Sequence, residues 1–271
     1  MTDSSATQTT DLDVDLLAAR LDAAQTERTE TPSIERDDAV EVAFDVDLAY
    51  RVQEALVARR EARGETVVGV KLGFTSKAKM AQMGVSDVIV GRLTDAMTVG
   101  DGAAADLSSF IHPKVEPEVA YLLSRDVDLD DPDEDIVDAV SAIAPAVEII
   151  DSRYLDFKFT YADVVADNTS AAGYAIGAWS PMRDAPDAAV TMRVGDDEVT
   201  GTTAAILGDP KEALSALLDM CRRRRIPLKA GYVVLAGAAT AALPLTETTV
   251  VCDVDGLGTV RFTGVRGGEE S

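Results

Sequence analysis

The chain has 271 residues, with Lys+Arg 25 against Asp+Glu 48 and a formal net charge of −23. That sign excludes a nucleic-acid or anionic-membrane binder that works by bulk attraction to phosphate. The hydrophobic share of 46% excludes a disordered acidic tail and leaves enough Val, Leu and Ile for a sizeable core.

The acidity has a pattern. Lys occurs only at 71, 77, 79, 114, 158, 211 and 229, and the other cations are Arg. Abundant short carboxylates with scarce Lys suit a surface that stays hydrated in concentrated salt, so the chain reads as salt-adapted. Cys221 and Cys252 are too few for a disulfide framework and lack metal-ligand spacing. No apolar run reaches the ~18 residues of a membrane span, and the first residues lack both a basic and an apolar targeting region. A soluble, cytoplasmic protein is expected, with no nucleic acid and no membrane as partner.

In chain order, residues 1–38 read as an acidic, partly disordered extension. Within it LDVDLLAARLDAA can dock as a helix through Leu12, Leu16, Leu17 and Leu21. Residues 39–271 read as one domain with a helical lead-in that stops near Gly64. ETVVGVKLGFTS is a β-branched run ending in turn residues, hence a strand. SKAKMAQMGV suggests a short helix and SDVIVGRL a strand. Further strands are expected in VEPEVAYLL, AVEIIDSRYL, GYAIGAW, GYVVLAG, TTVVCDV and GLGTVRFTGV, with a hairpin in MRVGDDEVT. DEDIVDAVSAIA and DPKEALSALLDMCRRRR read as helices. Many strands without regular βαβ alternation give an α+β class.

The chemistry concentrates in a few residues. In a strand, Glu116 and Glu118 of HPKVEPEVAYLL project from one face, and two adjacent like charges call for a cation or a proton. Glu148 interrupts the apolar run AIAPAVEIID, where an ionised carboxylate is tolerable only if paired or metal-bound. Three carboxylates from two segments suit a hard cation such as Mg²⁺, which keeps positions open for a chelating substrate. Lys71 lies in a β-branched strand of a chain that has largely shed Lys, and burial there would favour proton transfer. A structural ion pair is the alternative reading of Lys71. GFTS (73–76) and ADNTS (166–170) are small polar clusters able to bind a carboxylate or position water, and ordinary turn chemistry otherwise.

Other candidates fail. DVDLDDPDEDIV lacks the turn Gly and the final Glu of a Ca²⁺ loop. The Arg run 222–225 complements a helix C-terminus, and GLG at 256–258 is a turn. His112 is the only histidine, which excludes His-rich zinc sites.

Read together, GVKLGFTSKAKMAQMGV, VGRLTDAM, IHPKVEPEVAYLL, APAVEIIDSRYLDFKF, VVADNTSAAGYAIG, ILGDPKEALSALL and LKAGYVVLAGAATAALPL resemble the 2-oxopent-4-enoate hydratase and 4-oxalocrotonate decarboxylase family over about residues 45–265. The resemblance implies a fumarylacetoacetase-like fold, a mostly β mixed-sheet barrel or roll with peripheral helices. It implies Mg²⁺ or Mn²⁺ on Glu116, Glu118 and Glu148, proton transfer by Lys71, and catalytic Ser76 and Asp167 that, with Asn168, orient the substrate carboxylates or the enol. Thr75, Asn168, Gly237 and Thr240 would border a small 2-oxo-enoic acid. A homo-oligomer, alone or with a sister hydratase or decarboxylase, is also implied.

Within the family, SKAKMAQMGVSD and EIIDSRYLDFKF resemble the decarboxylases. Ala96 stands where hydratases tend to carry an acid, which weakens the water-adding reading. Gly173 stands where decarboxylases often carry a base, which puts a dicarboxylate substrate in question. The favoured expectation is decarboxylation of 4-oxalocrotonate (2-oxohex-3-enedioate) to 2-hydroxypenta-2,4-dienoate. The alternatives are a hydratase acting on that dienoate and a non-catalytic partner subunit.

Overall fold

The computed structural model describes residues 4–37, 43–76, 80–81 and 87–267, with side chains from Val14 onward. In chain order the elements are α1 (Ser4–Glu27), α2 (Val46–Ala62), β1 (Val67–Gly73), β2 (Ile89–Thr94), β3 (Thr98–Val99), β4 (Ala104–Asp106), β5 (Lys114–Leu123) and β6 (Val140–Ile150). They continue with α3 (Tyr161–Ala166), β7 (Ala171–Ile176), β8 (Ser180–Pro181), β9 (Ala189–Val194), β10 (Asp197–Thr202) and α4 (Pro210–Arg224). The last strands are β11 (Val233–Ala238), β12 (Leu243–Pro244), β13 (Thr249–Val254) and β14 (Gly258–Val265).

The large mixed sheet runs β2-β1-β11-β5-β6-β7-β3, with β12 added to β5 and β8 to β6. A smaller sheet runs β10-β9-β13-β14-β4, and its β13 and β14 pack over β6. β6 is therefore covered on both faces, which explains its nearly continuous apolar sequence. That burial also corrects the helix expected over DEDIVDAVSAIA. A 3-10 turn covers Ile136–Ala139, and the rest is the first half of β6. Short apolar runs do not distinguish a buried helix from a doubly covered strand.

The helices lie outside the large sheet. Asp45 caps α2 by accepting from the Leu48 amide at 2.8 Å, and Gly64 follows its end with φ +98°. α4 starts with Asp209 as cap and Pro210 in its first turn, and buries Ala213, Leu214, Leu217, Leu218 and Cys221. Its terminal Arg run is spent on neutralising acids: Arg223 pairs with Asp87 at 2.6 Å, Arg224 with Asp47 at 2.5 Å and Arg225 with Asp130 at 2.7 Å. α3 was not foreseen, although its signal is a capping box between Thr160 and Asp163. α1 packs on α2 through Leu17 and Leu21, while Leu16, a third of a turn away, is exposed. Of the helix expected in SKAKMAQMGV, Met80 and Ala81 are helical and most of the rest lies outside the described residues, as does Leu12 as a side chain.

One buried polar residue joins the layers. Gln53 of α2 donates from Nε2 to the carbonyls of Val90 on β2 and Val165 on α3, at 3.0 and 2.8 Å. Gln53→Leu keeps the bulk and removes both bonds and a third, which Oε1 accepts from Arg92 Nη1 at 3.1 Å, so stability should fall by roughly 2 kcal/mol or more in urea titration. A change within experimental error would show that Gln53 is not the tie.

Candidate active site

Strand geometry assembles the carboxylates. Glu116 and Glu118 stand two residues apart on β5, and the antiparallel register sets Glu116 directly opposite Glu148 on β6. All three side chains are buried, and each offers an oxygen to a cluster whose atoms lie within 4.8 Å of one another. Lys71 comes from β1, one strand beyond β11, and its Nζ lies 3.0 Å from Glu148 Oε1. The same ammonium donates to the Thr169 carbonyl at 3.0 Å. Glu118 Oε2 accepts from the Gly237 amide at 2.8 Å. Only glycine fits there, because φ is +116° and a Cβ would sit 2.0 Å from Thr75 Oγ1.

The electrostatics are those of a cation site. Burial, and then the neighbouring Glu148 carboxylate, push the Glu118 carboxyl well above its ordinary range. Burial raises Glu148 to about 7, outweighing the Lys71 charge that pulls it down. Glu118 Oε1 and Glu148 Oε2 are buried and accept no hydrogen bond. Orphaned carboxylate oxygens around one point, all hard donors, fit a divalent ion such as Mg²⁺.

A cavity of about 100 Å³ adjoins this cluster. Lys71, Glu116, Thr75, Thr169 and Ser170 supply polar groups, and Leu72, Phe74, Ile89, Ile150, Phe157, Phe159 and Val164 most of the apolar wall. The aromatic residues were missed in the sequence. Phe157 has φ +59° beside Asp156 at +55°, a conformation rare for such residues, and Lys114 Nζ stands 4.0 Å from its ring centroid.

The remaining expected residues are placed differently. Asp167 is fully buried behind the cavity wall, paired with Arg153 and accepting from Ser170 Oγ at 3.2 Å. Burial raises its carboxyl to about 6 against the pull of Arg153. The Asn168 amide is committed to β2, accepting from the Arg92 amide at 2.7 Å and donating to the Arg92 carbonyl at 2.8 Å. Both hold the turn at 168–170, where Asn168, Thr169 and Ser170 all have positive φ. Ser76 and Thr240 are not in the cavity wall, and Thr240 Oγ1 donates to the Ala241 carbonyl. Thr75 is in the wall, and Gly237 stands behind it as the support of Glu118.

The two departures from the family pattern lose their weight. Gly173 pairs with Ile149, so it faces the side of the sheet opposite to Glu148 and no side chain there reaches the carboxylate cluster. Ala96 sits exposed in a 3-10 turn outside the cavity wall.

No protein-family model matches the sequence. Curated relatives do. The chain is 46% identical over 250 residues, 91% of its length and 96% of the relative's, to a 4-oxalocrotonate decarboxylase from Pseudomonas sp. It is 39% identical over 254 residues, 91% and 95% of the two lengths, to a 2-keto-4-pentenoate hydratase from Burkholderia vietnamiensis. A solved 4-oxalocrotonate decarboxylase from Pseudomonas putida G7, complexed with magnesium and adipate, superposes with a TM-score of 0.84 at 34% identity, covering 93% of this chain and 97% of that one. The mixed sheets are those of the fumarylacetoacetase-like fold, and both relatives make the chain a lyase of that fold. Within that class, the chain belongs to the family of 4-oxalocrotonate decarboxylases and 2-keto-4-pentenoate hydratases.

Burial raises both Glu118, well above its ordinary range, and Glu148, to about 7, so the carboxylate cluster retains a proton near neutral pH. A metal binds the deprotonated form, so Mg²⁺ affinity should fall as pH drops below about 7 and rise to a plateau above it. Calorimetry at about pH 6.5 in buffers of different ionisation enthalpy should read proton release on Mg²⁺ binding. A pH-independent affinity without release would contradict the protonated cluster.

Proposed function

We propose that the protein is a divalent-metal-dependent decarboxylase that converts 2-oxohex-3-enedioate to 2-hydroxypenta-2,4-dienoate and CO₂. The observation that carries this reading is the direct contact of Lys71 with one of three clustered glutamates at the edge of an apolar-walled cavity. Glu116, Glu118 and Glu148 would hold Mg²⁺, or Mn²⁺, which when bound supplies Lewis-acid charge at the 2-oxo acid end of the substrate.

The distal carboxylate is vinylogous to the ketone. When the C5–C6 bond breaks, its electron pair becomes C4=C5, the C3=C4 pair shifts to C2=C3, and the carbonyl pair goes to oxygen. Lys71, held between Glu148 and the Thr169 carbonyl, is placed to deliver a proton to that oxygen and to exchange keto and enol forms. Phe157, Phe159, Ile150 and Val164 exclude water from the carbon chain, which favours loss of charge as CO₂. Thr75 borders the substrate and Gly237 orients Glu118. Asp167 and Asn168 act by holding the turn at 168–170.

A second reading, hydration of 2-hydroxypenta-2,4-dienoate to 4-hydroxy-2-oxopentanoate, is supported by the hydratase relative and uses the same glutamates and Lys71. The intact trio and lysine speak against a non-catalytic subunit. A salt-adapted cytoplasmic setting goes with the charge of −23, and among the described residues no helix is long and apolar enough to cross a membrane. A homo-oligomer, with or without a sister hydratase, goes with the family resemblance.

Purified protein with Mg²⁺ and 4-oxalocrotonate should release CO₂ as the dienoate absorbance rises, and EDTA should stop both. Hydration of supplied dienoate without CO₂ would replace this reading by the hydratase. Lys71→Met should lower turnover by about 100-fold or more while the melting temperature stays within a few degrees; a variant that only unfolds would make the lysine structural. On the salt-adapted reading the melting temperature rises with KCl, and equal stability at low and molar salt would overturn it.

A further inference from the structure

Thr169 is the residue whose chemistry neither the glutamate cluster nor the lysine uses. It lies in the cavity wall and is 4% exposed, and its Oγ1 is buried without a hydrogen-bond partner. Leaving a buried hydroxyl unpaired destabilises a fold, so such a group in a native structure calls for an explanation. Its neighbours are all committed. Ser170 Oγ bonds Asp167, Asn168 bonds Arg92, and the Thr169 carbonyl receives Lys71. The residue is also held at φ +58° for a β-branched side chain, inside a left-handed turn clamped from both ends. Strain and an unsatisfied polar atom coincide at one position beside the proton-carrying lysine.

The place of Thr169 in the chain of contacts says what it would meet. Lys71 Nζ touches Glu148 Oε1 at 3.0 Å and the Thr169 carbonyl at 3.0 Å, so the metal end and the turn lie no more than about 6 Å apart at these atoms. A six-carbon chain with C–C bonds of about 1.5 Å spans roughly 6 Å. A substrate held by its 2-oxo acid end at the glutamates and passing Lys71 would bring its far carboxylate to the part of the cavity wall formed by Thr169, Phe157, Phe159 and Val164. A neutral donor suits a carboxylate that must leave as CO₂. A buried cation there would stabilise the charged ground state more than the transition state, in which that charge moves away.

We propose that the Thr169 hydroxyl is a substrate contact, the donor that holds the departing carboxylate of the dicarboxylic substrate. This rests on the decarboxylase reading. The test uses two chelating saturated analogues bound to the Mg²⁺-loaded full chain, 2-oxoadipate, which carries the far carboxylate, and 2-oxohexanoate, which lacks it. Thr169→Val is nearly isosteric and removes an unpartnered hydroxyl, so its melting temperature should equal or exceed that of the wild type. It should weaken 2-oxoadipate about tenfold or more and move 2-oxohexanoate less than about twofold. Thr169→Ser, which keeps the hydroxyl, should retain the preference.

Equal weakening of both analogues would place the hydroxyl at the 2-oxo acid end and overturn the assignment. An unchanged ratio, or a destabilised Thr169→Val, would overturn it as well, the latter by making the hydroxyl structural. CO₂ release by the wild type tests the reaction separately. If no CO₂ forms and the analogue preference still vanishes in Thr169→Val, the contact stands and the decarboxylase reading falls.

Discussion

Three buried carboxylates against one buried ammonium form the constraint on which the rest of the structure depends. With all four groups ionised, Glu116, Glu118, Glu148 and Lys71 leave two negative charges in a largely buried region at the wall of the cavity. Such a charge is tolerable only with a divalent cation or with protons, and burial raises Glu118 and Glu148 accordingly. The strand register enforces the arrangement. A one-residue slip of β6 against β5 would send Glu148 to the opposite face from Glu116. β13 and β14 packing over the other face of β6 oppose that slip, so the small sheet serves the carboxylate cluster without contributing a side chain to it.

The lysine is held in place by a strained element. Asn168, Thr169 and Ser170 form a left-handed turn at a cost of about 1–2 kcal/mol per residue. Arg153 and Asp167 anchor one end from inside the fold, and the Asn168 amide locks onto both backbone groups of Arg92. What the turn gains is a carbonyl aimed at Lys71 Nζ. The N-terminal region contributes at a distance. Ser33 donates to the Asp163 carboxylate at 2.5 Å, and the Thr31 amide donates to the Arg153 carbonyl at 2.8 Å. The segment that bears Phe157 and Phe159 is thereby tied to residues 30–34.

The carboxylates and the lysine were legible because their spacing conflicts with burial. Glu116 and Glu118 share a strand face, Glu148 breaks an apolar run, and Lys71 stands in a β-branched strand of a Lys-poor chain. Asp167 and Asn168 were read as site groups because residue type shows which atoms can bond but not which are already spent. Arg153, which spends Asp167, lies 14 positions away and carries no local signal. Phe157 and Phe159 read as ordinary core residues, since only the turn at Asp156 directs them to the cavity wall. The first half of β6 was misread for the same reason in reverse, because its second cover comes from strands more than 100 residues later.

The division of charge follows from solvent access. On the surface, Arg222–Arg225 meet acids or carbonyls that water and salt can replace, and pairs of that kind contribute about 0–1 kcal/mol. In the site, burial leaves the Glu148–Lys71 contact far less screened, so these groups are set mainly by what they touch. Screening at high salt therefore weakens the repulsion among the surface acids while leaving the Glu148–Lys71 contact as it is. A chain of net charge −23 can in this way adapt its exterior to its medium without altering the charge balance at its chemistry.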